Sequence, residues 1–160
     1  MVGAEFRRIP YVDSSFALVI RNYGQSIARN VVVTFKPPIP DPEDPSTSMT
    51  PYLKRRYSGP IPTMLPGMEL ENIYLTRDEP GGQNLEPTPE QVLVTIEYQG
   101  PDRHRYKDDF PLDTELLKGH TYIRSSAAPD ALAKEAVKTL KHIHQALKDK
   151  RRGSVQEEGG

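Results

Sequence analysis

The sequence predicts an all-β protein, a two-sheet sandwich followed by a C-terminal α-helix. Three observations carry that prediction. Short apolar runs with strand-like alternation recur between turn signals. Sixteen prolines suit strands joined by stiff loops and are too many for a helical protein. From Pro129 onward the pattern changes to three- and four-residue spacing, the mark of one amphipathic helix.

The strands can be justified in turn. Ala4 to Ile9 is a short strand suited to a sheet edge. Phe16 to Arg21 sets Phe16, Leu18 and Ile20 against Ala17, Val19 and Arg21, nearly all apolar, as in a strand buried on both faces. Asn22-Tyr23-Gly24 then turns the chain: the Asn22 side chain can bond nearby backbone, and Gly24 is expected at positive φ. Ala28 is small where the returning chain presses on the core. Val31 to Phe35 follows, with Val31, Val33 and Phe35 on one face and a β-branched run that disfavours helix.

Residues 36–68 read as a Pro-rich insertion, extended and exposed from Pro37 to Pro45. Within it, Ser48 to Tyr57 predicts about two turns of helix with Pro51 in its first turn and Tyr52, Leu53 and Tyr57 available for packing. Leu65-Pro66-Gly67 is a second turn. Glu69 to Leu75 predicts a strand whose inward residues are Ile73 and Leu75. After a loop over 77–89 comes the clearest strand, Gln91 to Gln99, with Val92, Val94, Ile96 and Tyr98 on one face. Gly100-Pro101-Asp102 turns it into its hairpin partner, Arg103 to Leu112, and a short last strand is expected over Gly119 to Arg124. The total, six or seven strands, is enough for two sheets. In the helix, Ala133, Ala136, Val137, Leu140, Ile143, His144 and Leu147 form one narrow stripe, with Asp130 and Glu135 early and Lys148, Lys150, Arg151 and Arg152 late, matching the helix dipole.

Bulk properties bound the function. At 160 residues the chain is one domain with an appendage. A net charge of −1 gives no general attraction to nucleic acid or anionic membrane. The absence of cysteine excludes disulfides, thiolate metal sites and cysteine nucleophiles. Met1 to Pro10 carries Glu5, Arg7 and Arg8 and lacks the apolar stretch of a signal peptide, and no window reaches the ~20 apolar residues of a membrane span. The chain as given reads as soluble, either cytoplasmic or attached to a membrane through a segment outside it; the early first strand suits a domain cut from a longer protein.

Two motifs, Asn22-x-Gly24-x-x-x-Ala28-x-Asn30-Val31 and Leu65-x-Gly67 before a strand, together resemble bacterial immunoglobulin-like sandwich domains related to the CARDB adhesion modules. The pair Val94-Thr95-Ile96-Glu97-Tyr98 and Tyr106-x-x-x-Phe110-x-Leu112 is similar to the last hairpin of such domains on uncharacterised membrane-anchored bacterial proteins. The resemblance covers 3–124 and implies an immunoglobulin-like fold without catalytic residues; the long Pro-rich insertion departs from it. The organisation that follows is a sandwich over 3–124 interrupted by the 36–68 insertion, an amphipathic helix over 128–150 and a disordered tail over 151–160.

Chemical constellations are sparse. His142 and His144 lie about 200° apart around a helix and cannot grip one ion, and His104 and His120 lack carboxylates at ligand spacing, so no metal is expected. Prolines separate Asp41, Glu43 and Asp44 where a calcium loop would need alternating ligands around a glycine turn. The Pro-x-x-Pro spacing in 37–45 has acidic rather than basic neighbours, so a stiff strand exit is the simpler reading. Arg103, Arg105 and Lys107 share one face of the hairpin strand, where charge discourages edge-to-edge aggregation. Tyr52, Lys54, Arg55, Arg56 and Tyr57 mix cations and aromatics as a phosphate or nucleic-acid contact would, although three cations are more often a solvated helix face. No catalytic triad and no phosphate loop can be assembled. The sequence therefore points to a non-catalytic protein-interaction or structural module without a cofactor, its partner an unidentified protein. A small-molecule or polyanion sensor using residues 52–57 is the second reading and an enzyme the third. The C-terminal stripe must be covered, by the chain's own sandwich first or by the same helix of a second copy in a homodimer.

Overall fold

Two antiparallel sheets are built from seven strands: β1 (Val2–Arg8), β2 (Ser15–Asn22), β3 (Ala28–Lys36), β4 (Ile61–Met64), β5 (Glu69–Thr76), β6 (Gln91–Gln99) and β7 (Arg105–Asp113). The three-stranded sheet has the order β1-β2-β5 and the four-stranded sheet β4-β3-β6-β7. A short helix, α1 (Thr50–Arg56), lies between β3 and β4, and one 3-10 turn (Thr114–Leu117) follows β7. This computed structural model describes residues 1–9, 14–79, 82–117 and 136–145. The chain divides into two units, Met1–His120 and Thr121–Gly160. The first unit is a β-sandwich of immunoglobulin-like type. Its consecutive pairs β2/β3 and β4/β5 each change sheet, as the connections of such sandwiches do. In the second unit residues 136–145 are helical, with Val137, Leu140 and Ile143 exposed. The expected strand over Gly119 to Arg124, the rest of the expected helix and the tail lie outside the described residues.

Alternation places the core. Phe16, Leu18 and Ile20 of β2 meet Val31 and Val33 of β3 and Val92, Val94, Ile96 and Tyr98 of β6, all buried. Each such aliphatic side chain contributes about 1.5–3 kcal/mol on leaving water. β5 departs from simple alternation. Phe16 pairs with Leu75 but Ala17 pairs with Ile73, so Tyr74 is one residue extra, a β-bulge. The bulge breaks the expected alternation between Ile73 and Leu75, so that Leu75 lies in the core as expected and Ile73 does not. Leu70 and Tyr74 face the core, Leu75 is buried as well, and Ile73 is left half-buried outside the core cluster.

The 36–68 segment is more structured than its composition suggests. Ile39 is buried in the core beside Leu53 and Tyr57 of the α1 region. α1 forms where expected, with Pro51 in its first turn, but Tyr52 points away from the packing and is 61% exposed. β4, which the sequence analysis treated as loop, pairs with β3 through Ala28↔Met64, Arg29↔Thr63 and Val31↔Ile61. Pro62 is tolerated because β4 is an edge strand.

The outer faces are polar for different reasons. Ala17 and Val19 of β2 point away from the core yet are fully buried, because charged neighbours roof them. Arg7 is the hub, bonded to Glu5 at 2.6 Å and Glu69 at 3.1 Å, with Arg21 3.6 Å from Glu69. Across the other sheet, Lys107 meets Glu97 at 3.2 Å, Thr95 donates to Asp109 at 2.5 Å and Gln91 to Asp113 at 2.9 Å. These are cross-strand pairs on a wetted face. Lys107 and Arg105 lie on that face as expected, while Arg103 sits outside the strand with φ of 62°.

Candidate functional site

Antiparallel pairing brings four parts of the chain to one end of the sandwich. Val2 pairs with Asn22, Ala28 with Met64, Arg21 with Glu69, and Gln99 with both Arg29 and Arg105. The β2–β3 loop (23–27), the β4–β5 turn (65–68), the β6–β7 hairpin (100–104) and Met1 therefore meet there. Hydrogen bonds weld them. The Asn22 amide donates to Met68 O at 3.0 Å and Gly67 N–H to Asn22 O at 2.9 Å, while Tyr23 N–H reaches Met1 O at 2.9 Å. The buried Asn22 side chain donates to Ser26 O at 2.8 Å and Met64 O at 3.0 Å and accepts from Gly24 N–H at 3.0 Å. Gly67 has φ of 76°, as the Leu65-Pro66-Gly67 turn requires.

Gly24 is a correction to the sequence reading. Its φ is not in the left-handed region, where Gly67 is the glycine among the described residues. Its requirement is space: a Cβ there would lie 2.4 Å from the Met1 nitrogen.

Between the β2–β3 loop and the β6–β7 hairpin lies an open cleft of about 560 Å³. One wall is a ring pair. Tyr98 and Tyr106, directly opposed across β6 and β7, stack at 5.2 Å and 17°, and His104 meets Tyr106 edge-on at 4.9 Å. Gly100 makes the stack possible, since a Cβ would meet Tyr106 Cε2 and Asp102 Oδ1, each at 2.9 Å. Asp102 Oδ1 accepts the His104 amide at 3.1 Å. Asp108 pairs with Ile96, shares its face and reaches the cleft. Burial, with Asp108 adding to it, pushes the Tyr98 hydroxyl above the usual phenol range against the opposing Val2 amide. Around the cleft, Met1, Tyr23, Leu65, Met68 and Tyr106 are exposed. Five large apolar or aromatic side chains are thus exposed on one loop end.

The residues expected to form a contact at 52–57 separate. Tyr52, Arg55 and Arg56 are exposed on α1, and Lys54 is ion-paired with Asp41. Tyr57 is buried, its ring edge-on to Phe35 at 5.8 Å, so it serves the core. Burial raises its hydroxyl far above the phenol range despite nearby Arg56. Among the described residues no group of three or more His, Asp or Glu could hold a metal ion, and no helix is long and apolar enough to cross a membrane. The Tyr98–Tyr106 pair was missed because its signal is register: two tyrosines equidistant from the middle of a hairpin loop must oppose each other.

Fold and site together define an immunoglobulin-like sandwich that gathers loops and exposed aromatics at one end. The chain belongs to the DUF8453 family, a domain of unknown function, whose model matches residues 1–118. No curated protein and no solved structure matches the chain.

Proposed function

We propose that this domain is a non-catalytic protein-interaction module that recognises its partner through the loop end of the sandwich. The observation that carries the reading is the cleft bounded by the Tyr98–Tyr106 stack, with Tyr23, Leu65 and Met68 exposed on the same end. The loops β2–β3 and β6–β7 occupy the places that present recognition loops in variable immunoglobulin domains. Tyrosines supply large contact area with little side-chain entropy to lose, which is why they dominate such surfaces. The resemblance to adhesion-type sandwiches agrees with this role.

Panning a random peptide library against the full chain, then mapping bound peptides by amide chemical shifts, tests it. Shifts gathered at 23–27, 65–68 and 98–106 are the expected outcome. Failure to recover any binder, or binders that map elsewhere, overturns it. A second reading, a polyanion sensor, is favoured by the exposed Tyr52, Arg55 and Arg56 on α1. Shifts confined to residues 49–56 on adding polyphosphate would select it.

A further inference from the structure

The cleft's charged side chains are Asp102 and Asp108; no lysine or arginine lines it, although Met1, with its amino group, does. Among the described residues these two carboxylates enter no ion pair, whereas Glu5, Glu69, Glu97 and Asp41 each hold a cation. Asp108 is half-buried on the inner side of β7, next to Tyr98, where a carboxylate loses part of its hydration without gaining a partner. The half-exposed Tyr106 ring stands beside it in the wall.

A carboxylate at partial depth, a second at the rim and a phenol wall are complementary to one kind of group. A basic side chain can lay its methylene stem along an aromatic ring and bring its charged head to a carboxylate. We propose that the cleft takes a lysine or arginine side chain from an extended segment of the partner protein. The inference rests on the loop end being the recognition surface and adds the chemistry it reads. Anionic ligands would meet two carboxylates, and a purely apolar side chain would leave Asp108 partly dehydrated and unpaired.

The library above separates the two claims. Binders that map to the loop end and carry Arg or Lys at one fixed position are expected. Neutral or acidic binders at the loop end would overturn this inference while leaving the recognition surface intact. A direct probe is an Ala-Ser peptide with one central arginine, titrated into the full chain alongside its citrulline and glutamate counterparts. Citrulline keeps the shape and removes the charge, and it should bind about tenfold more weakly, the size of a modest close charge pair. Asp108→Asn should abolish most of that difference and Asp102→Asn part of it, at unchanged thermal midpoints. Equal binding of the arginine and citrulline peptides, or an arginine preference that survives both substitutions, overturns the proposal.

Discussion

Glu86 caps helix α1 from thirty-six residues beyond Thr50: its carboxylate accepts the Thr50 amide at 3.1 Å and the Thr50 hydroxyl at 2.7 Å. The Met49 amide donates to its other oxygen at 2.9 Å, and the Ser48 hydroxyl adds a bond of 2.5 Å. No side chain at the helix N-cap does this work, so the 77–90 loop supplies the anion that the first turn of the helix requires.

Glu86→Ala should therefore destabilise the domain by about 1–3 kcal/mol, since it takes the acceptor from the part-buried Met49 amide and leaves the buried Thr50 amide only Ser48 Oγ at 3.1 Å. Urea denaturation reads this directly, and Glu86→Gln, which keeps one acceptor oxygen, should cost less. The same carboxylate makes stability depend on acid. Burial alone would raise its pKa, but the bonds from Met49, Ser48 and Thr50 outweigh burial and hold it below the usual range. A depressed folded-state pKa means the contribution is complete above the unfolded value, about 4.3, and disappears as pH falls through the folded value beneath it. Glu86→Gln should flatten the stability profile in that acid window and nowhere above it.

Gly24 and Gly67, both at the loop end, should fail differently. Gly24→Ala places a methyl against the Met1 nitrogen and should lose about 1 kcal/mol or more by crowding. At Gly67 there is open space but a φ of 76°, so Gly67→Ala should cost about 1 kcal/mol while Gly67→Asn is largely tolerated. Equal tolerance of Asn at both positions would contradict this distinction.

Arg7 should show salt dependence. The Arg7 guanidinium holds the Glu69 carboxyl below its usual range, and removing it takes the cation from Glu5 and Glu71 and leaves Glu69 with Arg21 alone, over Ala17 and Val19. Arg7→Met keeps the aliphatic cover and loses the charge. Its thermal midpoint should fall below wild type at low ionic strength and approach it near 1 M salt, where the Debye length is about 3 Å. A deficit independent of salt would assign the effect to packing instead.

Local pattern was enough for part of this molecule. The alternation Val92, Val94, Ile96, Tyr98 located β6 and its buried face, and the apolar run from Phe16 located β2, because strand parity is written every second residue. Pro51 and the residues after it announced α1, and Leu65-Pro66-Gly67 announced its turn. Pairing between distant segments decided the rest. The bulge at Tyr74 exists only in register with Phe16 and Ala17, and it undid the parity expected for Ile73. β4 carries too short and proline-rich a signal to be seen without β3 beside it. The cap on α1 comes from a loop that nothing in the helix sequence names. The cleft is of this second kind: its Tyr106, Asp102 and Asp108 are unremarkable in the chain, and become a site only where the β6–β7 register sets Tyr106 against Tyr98 and the sheet closure brings the β2–β3 loop opposite. Sequence determined which residues can be strand, turn and core, since those depend on neighbours along the chain; tertiary pairing decided which polar side chains meet, since that depends on neighbours across it.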